Sequence, residues 1–229
     1  MRMPTDPTGR TDRPVHLVYE DPMLAERDRA GRAVRRLAEA MIGRDVTAAD
    51  LAEVEAWADA AAARLERHDP IQRPDDYQAR RYTIEPPEDG DRLISFTDRP
   101  ISGPGNPAAN ELVIWRDGLV ARGVAVFGRL SEASPGRVHG GLTAAAFDDV
   151  MGYVMIIEAT AAYTGELTVR YRKPMLLGMP IHFQAQVTDR GERVWTISAT
   201  AHAGGPDGEV VSEASGRFVV VSPERLGVV

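Results

Sequence analysis

Apolar residues recur at helical spacing between Leu24 and Ile42 (Leu24, Ala30, Val34, Leu37, Met41), with arginines and acids between them and Gly43 after them. This pattern predicts an amphipathic helix closed by a glycine. Thr47 with Asp50 three residues on has the form of a capping box, and Leu51, Val54, Trp57, Ala61 and Leu65 make one stripe behind it, so a second helix and a helical hairpin are expected. Residues 68–105 are rich in proline, aspartate and arginine and read as a wrapped connector with one short strand at Leu93 to Phe96.

From Glu111 the periodicity changes to that of strands. Glu111 to Trp115 and Leu119 to Phe127 flank Asp117-Gly118, a hairpin signal. A helical run from Gly141 to about Ala159 follows. After it come strands at Thr164 to Tyr171, Ile181 to Thr188, Arg193 to Ala203 and Glu209 to Val221. One helix among hairpin-spaced strands implies an α+β fold, an antiparallel sheet curled around that helix. Two units are expected: a helical extension and connector over 1–104 and a sheet domain over 105–229.

The central helical run is apolar on nearly every side, which marks a buried helix, yet Asp148 and Asp149 stand in its middle about 100° apart. A buried carboxylate without partners is costly, so at least one of them must face a cleft, a partner or water. Asp148 shares its face with Gly141, Ala145 and Gly152, small residues that let another group approach. Gly140 and Gly141 place unhindered N–H groups at the positive end of the same helix, where a developing negative charge is stabilised. A carboxylate two turns from an oxyanion donor supplies the parts needed for acyl transfer to water. Asp148 at a subunit contact is the competing reading, and Asp149 reads as an interface or solvent-facing acid. His139 either orients a substrate carbonyl or caps the loop.

Composition narrows the chemistry. The chain has 229 residues, no cysteine and a formal charge of −7, with Lys173 the single lysine against 26 arginines. A disulfide scaffold, a thiol nucleophile and a cysteine zinc site are excluded, and His16, His68, His139, His182 and His202 lack zinc-hydrolase spacing, so no metal is expected. The acidic balance argues against nucleic acid as a partner. No uninterrupted apolar run reaches membrane-spanning length. Met1 to Pro14 is polar, without the apolar stretch of a secretory signal, and reads as a frayed start to a cytoplasmic protein.

His139-Gly140-Gly141, Asp148, Thr164 and the run Leu167-Thr-Val-Arg-Tyr-Arg-Lys-Pro174 together resemble the hotdog-fold thioesterases, most nearly the PaaI-like branch, over about residues 105 to 222. The resemblance implies a hotdog fold, hydrolysis of acyl-CoA thioesters, and a homodimer or dimer of dimers with the active site between subunits. By position, Asp148 matches the catalytic acid, acting as base or nucleophile. Gly140 matches the backbone N–H that polarises the thioester carbonyl, His139 the residue supporting the carbonyl side, and Thr164 the hydroxyl that places water. No resident cofactor is implied, since coenzyme A is part of the substrate.

Period two along the same strand puts Thr168, Arg170 and Arg172 on one face, and the two arginines with Lys173 offer a phosphate patch for coenzyme A; a solvated sheet face is the competing reading. A non-catalytic acyl-CoA binding module keeps the fold without needing Asp148. A hotdog dehydratase needs a histidine where none occurs between 140 and 181.

Overall fold

The structure is a computed structural model that describes residues 14–222 and 225. Met1 to Arg13 of the expected frayed start therefore lie outside the described residues. Eight strands form one sheet: β1 (Val15–Leu17), β2 (Arg92–Ile94), β3 (Val113–Asp117), β4 (Val120–Val126), β5 (Ala162–Tyr171), β6 (Pro180–Arg190), β7 (Val194–Ala203) and β8 (Glu209–Val220). Their spatial order is β1-β2-β3-β4-β6-β7-β8-β5, antiparallel throughout except for β1 on β2. The helices are α1 (Leu24–Gly43), α2 (Ala48–Leu65), α3 (Arg80–Thr83) and α4 (Gly140–Ile157). The α+β expectation is met: α4 fills the curl of the sheet.

The hairpin between β3 and β4 turns at Gly118, whose φ of 60° suits a residue without Cβ. The core is built from both sides of that curl. Phe147, Val150, Met151, Val154 and Met155 of α4 are fully or almost fully buried, as are Ala121, Ala125, Ile181, Phe183, Ile197 and Phe218 from the sheet. Phe147 meets Phe183 edge-on at 5.4 Å between ring centres, a favoured aromatic geometry. By length and composition α4 is apolar enough to cross a membrane, but most of it is buried in this core.

The first helices differ from each other. α1 docks through Arg35, buried against the Glu111 carboxylate at 3.0 Å, and through Glu39, which accepts from the N–H groups of Arg129 and Leu130 at 2.8 and 3.0 Å. Gly31 lies against Pro104 and Gly105 so closely that an added Cβ would stand 3.2 Å from a backbone oxygen. α2 has the expected capping box, Thr47 with Asp50, but none of its residues is buried. It borders a shallow groove shared with Ala33 and Leu37 of α1 and leaves Trp57 and Leu65 more than half exposed. The expected hairpin therefore docks by its first helix and not by the stripe on its second.

The connector is more than a wrapped linker. It contributes α3 and β2, and β1 pairs alongside β2, so two strands from before residue 105 lie in the same sheet. It is also fastened to α4: the Ser95 N–H donates to the Tyr153 hydroxyl at 3.0 Å, and Arg99 pairs with Asp149.

Candidate active site

The outward face of α4 consists of Gly141, Ala145, Asp148 and Gly152, all partly or fully exposed, while the residues between them are mostly buried. A Cβ on Gly152 would meet nothing within 4 Å. Asp148 therefore sits on the one strip of the core helix that remains open. β5 runs back along the helix beneath this strip. At its start the Thr164 hydroxyl donates to Asp148 Oδ1 at 2.8 Å, and near its end the Tyr171 hydroxyl donates to the Gly140 carbonyl at 2.8 Å. A bulge between Thr164 and Glu166, with Gly165 the extra residue, alters the strand where it meets Asp148.

The helix start is arranged as follows. His139 is the N-cap, its Nδ1 accepting from the Gly141 N–H at 2.9 Å. That contact uses the Gly141 donor. The Gly140 N–H meets no acceptor among the described residues, and both His139 and Gly141 are exposed. The structure thus brings Asp148 to Thr164 and His139 to Gly141, but it does not bring these two groups together: eight residues of helix hold Gly140 and Asp148 roughly 12 Å apart.

Asp149 departs from expectation. It faces neither solvent nor an open surface; its side chain is 4% exposed and paired with Arg99 from the connector. The physical reason is the 100° step along the helix, which turns it away from the open strip and under residues 95–102. Burial opposes the charge on Arg99, but Asp149 and the Tyr153 and Tyr82 hydroxyls outweigh it and hold the guanidinium pKa above its ordinary value. Arg99 Nε and Asp149 Oδ2 are buried without a hydrogen-bond partner, so the pair is tight but incompletely satisfied.

Asp148 and Thr164 open onto a cleft of about 520 Å³ whose far wall is the connector. Arg73, Tyr77, Arg81, Phe96 and Arg99 line that wall, and Met155 and Phe218 make its apolar floor. Tyr77 stacks on Phe96 at 3.9 Å and on Tyr19 at 5.5 Å, and the guanidinium of Arg73 lies 4.6 Å from the Tyr77 ring centre. Sequence reading missed these wall residues because no periodicity marks an irregular segment. The available signal was physical: a second acid in a buried helix requires a cation, and the connector is rich in arginine.

The expected phosphate patch does not line this cleft and lies at the end of β5 and just beyond it. Arg170, Arg172 and Lys173 are exposed; Arg172 bonds Glu213 at 2.6 Å and Lys173 pairs with Glu209, while Arg170 makes no ion pair among the described residues. No group of metal-ligating side chains occurs among the described residues.

Residues 135–209 match the family model described as Thioesterase superfamily. The structure is similar to the crystal structure of a thioesterase superfamily protein at a TM-score of 0.71 and 26% identity, covering 84% of this chain and 90% of that one. That coverage extends well beyond residues 105–229, so the segment before the central domain has a counterpart there. Shorter structures overlap less. A hypothetical thioesterase of Streptococcus pneumoniae with coenzyme A is 18% identical over 44% of this chain and 78% of its own, at a TM-score of 0.42. The PaaI protein of E. coli is 17% identical over 49% of this chain and 80% of its own, at 0.45. No curated protein matches. The chain has the hotdog fold, and its residues 135–209 are similar to the thioesterase superfamily, as the spaced residues from His139 to Pro174 implied.

Proposed function

We propose that this protein hydrolyses acyl-CoA thioesters to a free acid and coenzyme A, with Asp148 as general base or nucleophile. The observation that carries this reading is the Thr164–Asp148 hydrogen bond, at the wall of a cleft and on an open strip of a largely buried helix. The thioesterase superfamily match spans His139 through Arg172 and supports the same chemistry.

As a base, Asp148 takes a proton from a water molecule held between it and Thr164, and the resulting hydroxide attacks the thioester carbonyl. As a nucleophile, its carboxylate adds to that carbonyl, the thiolate leaves, and water hydrolyses the mixed anhydride. Either path develops charge on the carbonyl oxygen, for which the Gly140 N–H at a helix N-terminus is the suited donor. Because Gly140 and Asp148 of one chain stand about two turns apart, the donor comes from a second copy, and the working enzyme is a homodimer or a dimer of dimers.

Purified wild type and Asp148→Asn should be compared on a panel of acyl-CoAs. Asp148→Asn should lower kcat by roughly 10²- to 10⁴-fold while keeping the fold. Near-normal turnover by this variant, or no turnover of any acyl-CoA by wild type, would overturn the reading.

A further inference from the structure

The connector wall of the cleft carries three cations, of which two are neutralised within the chain. Arg73 pairs with Asp98, and Arg99 pairs with Asp149. Arg81 pairs with no carboxylate among the described residues. Its guanidinium lies over the rings of Tyr82 and Phe96, at 4.9 and 5.9 Å from their centres, and its Nε is buried without a hydrogen-bond partner. Ring faces attract a cation but accept no strong hydrogen bond, and the Tyr82 hydroxyl engages Arg81 at one point only, so the charge of Arg81 is met by no carboxylate among the described residues and its remaining terminal N–H groups are left for a ligand. The same cleft contains Asp148 and Thr164 and has an apolar floor in Met155 and Phe218.

The geometry points to Arg81 as a specificity-determining residue that receives a carboxylate on the far end of the acyl group, making the preferred substrate a thioester of a short dicarboxylic acid. This rests on the proposed hydrolysis at Asp148 and names the substrate class for it. A planar guanidinium matches a carboxylate through two parallel hydrogen bonds, and the apolar side chains of Met155 and Phe218 in the same cleft suit the methylenes joining the two ends of such an acyl group. A phosphate of coenzyme A fits less well. With the thioester carbonyl at Asp148, the pantetheine arm holds the phosphates a full arm's length away, whereas Arg81 and Asp148 share one cleft of about 520 Å³.

The test compares glutaryl and valeryl thioesters, which differ by the terminal carboxylate, each as the coenzyme A ester and as the N-acetylcysteamine ester that lacks phosphate. Wild type should favour glutaryl by roughly tenfold or more in kcat/KM in both series, the size expected of a charge-assisted hydrogen bond. Arg81→Met should bring the glutaryl-to-valeryl ratio close to one, and Arg81→Lys should restore part of it. A wild type without this preference, a ratio unmoved in Arg81→Met, or a preference confined to the coenzyme A series would each overturn the assignment. Calorimetry with a non-hydrolysable glutaryl thioether of N-acetylcysteamine gives a readout free of turnover. Binding that weakens in Arg81→Met upholds the carboxylate site even if hydrolysis fails, and turnover of valeryl esters with no glutaryl preference upholds hydrolysis while this site fails.

Discussion

Asp148 and Asp149 are chemically identical neighbours on α4, and the helix sends them into opposite circumstances. Asp148 lies on a strip of glycine and alanine, holds a hydroxyl and looks into a cleft; Asp149 lies under the connector, holds a guanidinium and is sealed. One carboxylate stays open to a cleft, and the other fastens the connector wall of that cleft. Position on a helical wheel, not residue type, divides the two roles.

That division can be broken from the buried side first. Asp149→Ala leaves Arg99 partly buried without its counter-ion and should cost about 3 kcal/mol or more of stability, read by urea or thermal unfolding. Asp148→Ala should cost less than about 1 kcal/mol by the same measurement, since its site is open. Equal losses would erase the distinction. Replacing both Arg99 and Asp149 with leucine should recover much of the lost stability, because no buried charge is then left alone.

Smaller effects sharpen the open side. Thr164→Val removes the hydrogen bond to Asp148 at nearly constant volume and should lower kcat/KM roughly tenfold without changing unfolding. Near the end of β5, Arg170→Ala should raise KM for acyl-CoA a few-fold, with a larger effect than Arg172→Ala or Lys173→Ala just beyond the strand, whose charges are already met by Glu213 and Glu209. The Arg170 effect should fade with added salt. Equal effects at all three positions would mean that the carboxylates do not compete with the nucleotide.

The smallest expected effect concerns pH. Burial holds the pKa of His16 below 6.5, and burial together with the nearby His202 does the same for His182. A histidine with a lowered native pKa is neutral in the fold while the unfolded chain protonates, so stability is full above about pH 6.5 and declines as pH falls below it. Thermal unfolding at pH 7.5 and 5.5 should show this decline, and His182→Gln should lessen it.

Much of this organisation was legible in the sequence. Helical and alternating periodicities, Asp117-Gly118 and the Thr47–Asp50 box place α1, α2, α4 and the six strands β3 to β8, because each signal is local, and the short strand read at Leu93 to Phe96 corresponds to β2. The unusual acids on an apolar helix pointed to the candidate site. The rest of the connector was illegible because it is irregular: Arg99 reaches Asp149 from fifty residues away in sequence, Arg81 and Tyr77 line the cleft with no periodicity to mark them, and β1 is three residues long. The roles of Asp148 and Asp149 could be separated only by knowing what lay over each face. α2 fails differently. Its capping box and alanines make a helix locally, and nothing local determines whether the stripe on it finds a partner.

Among the described strands β5 pairs with β8 alone, and Thr164 registers with Phe218, about fifty residues further along the chain. The order of synthesis is thereby imposed on the site. At a ribosomal pace of roughly 5–20 residues per second, the strand that positions Asp148 waits several seconds for its partner to emerge. Until β8 exists, β5 is an unpaired edge, and the half-made protein has its helix and its acid but no fixed place for the hydroxyl beside it.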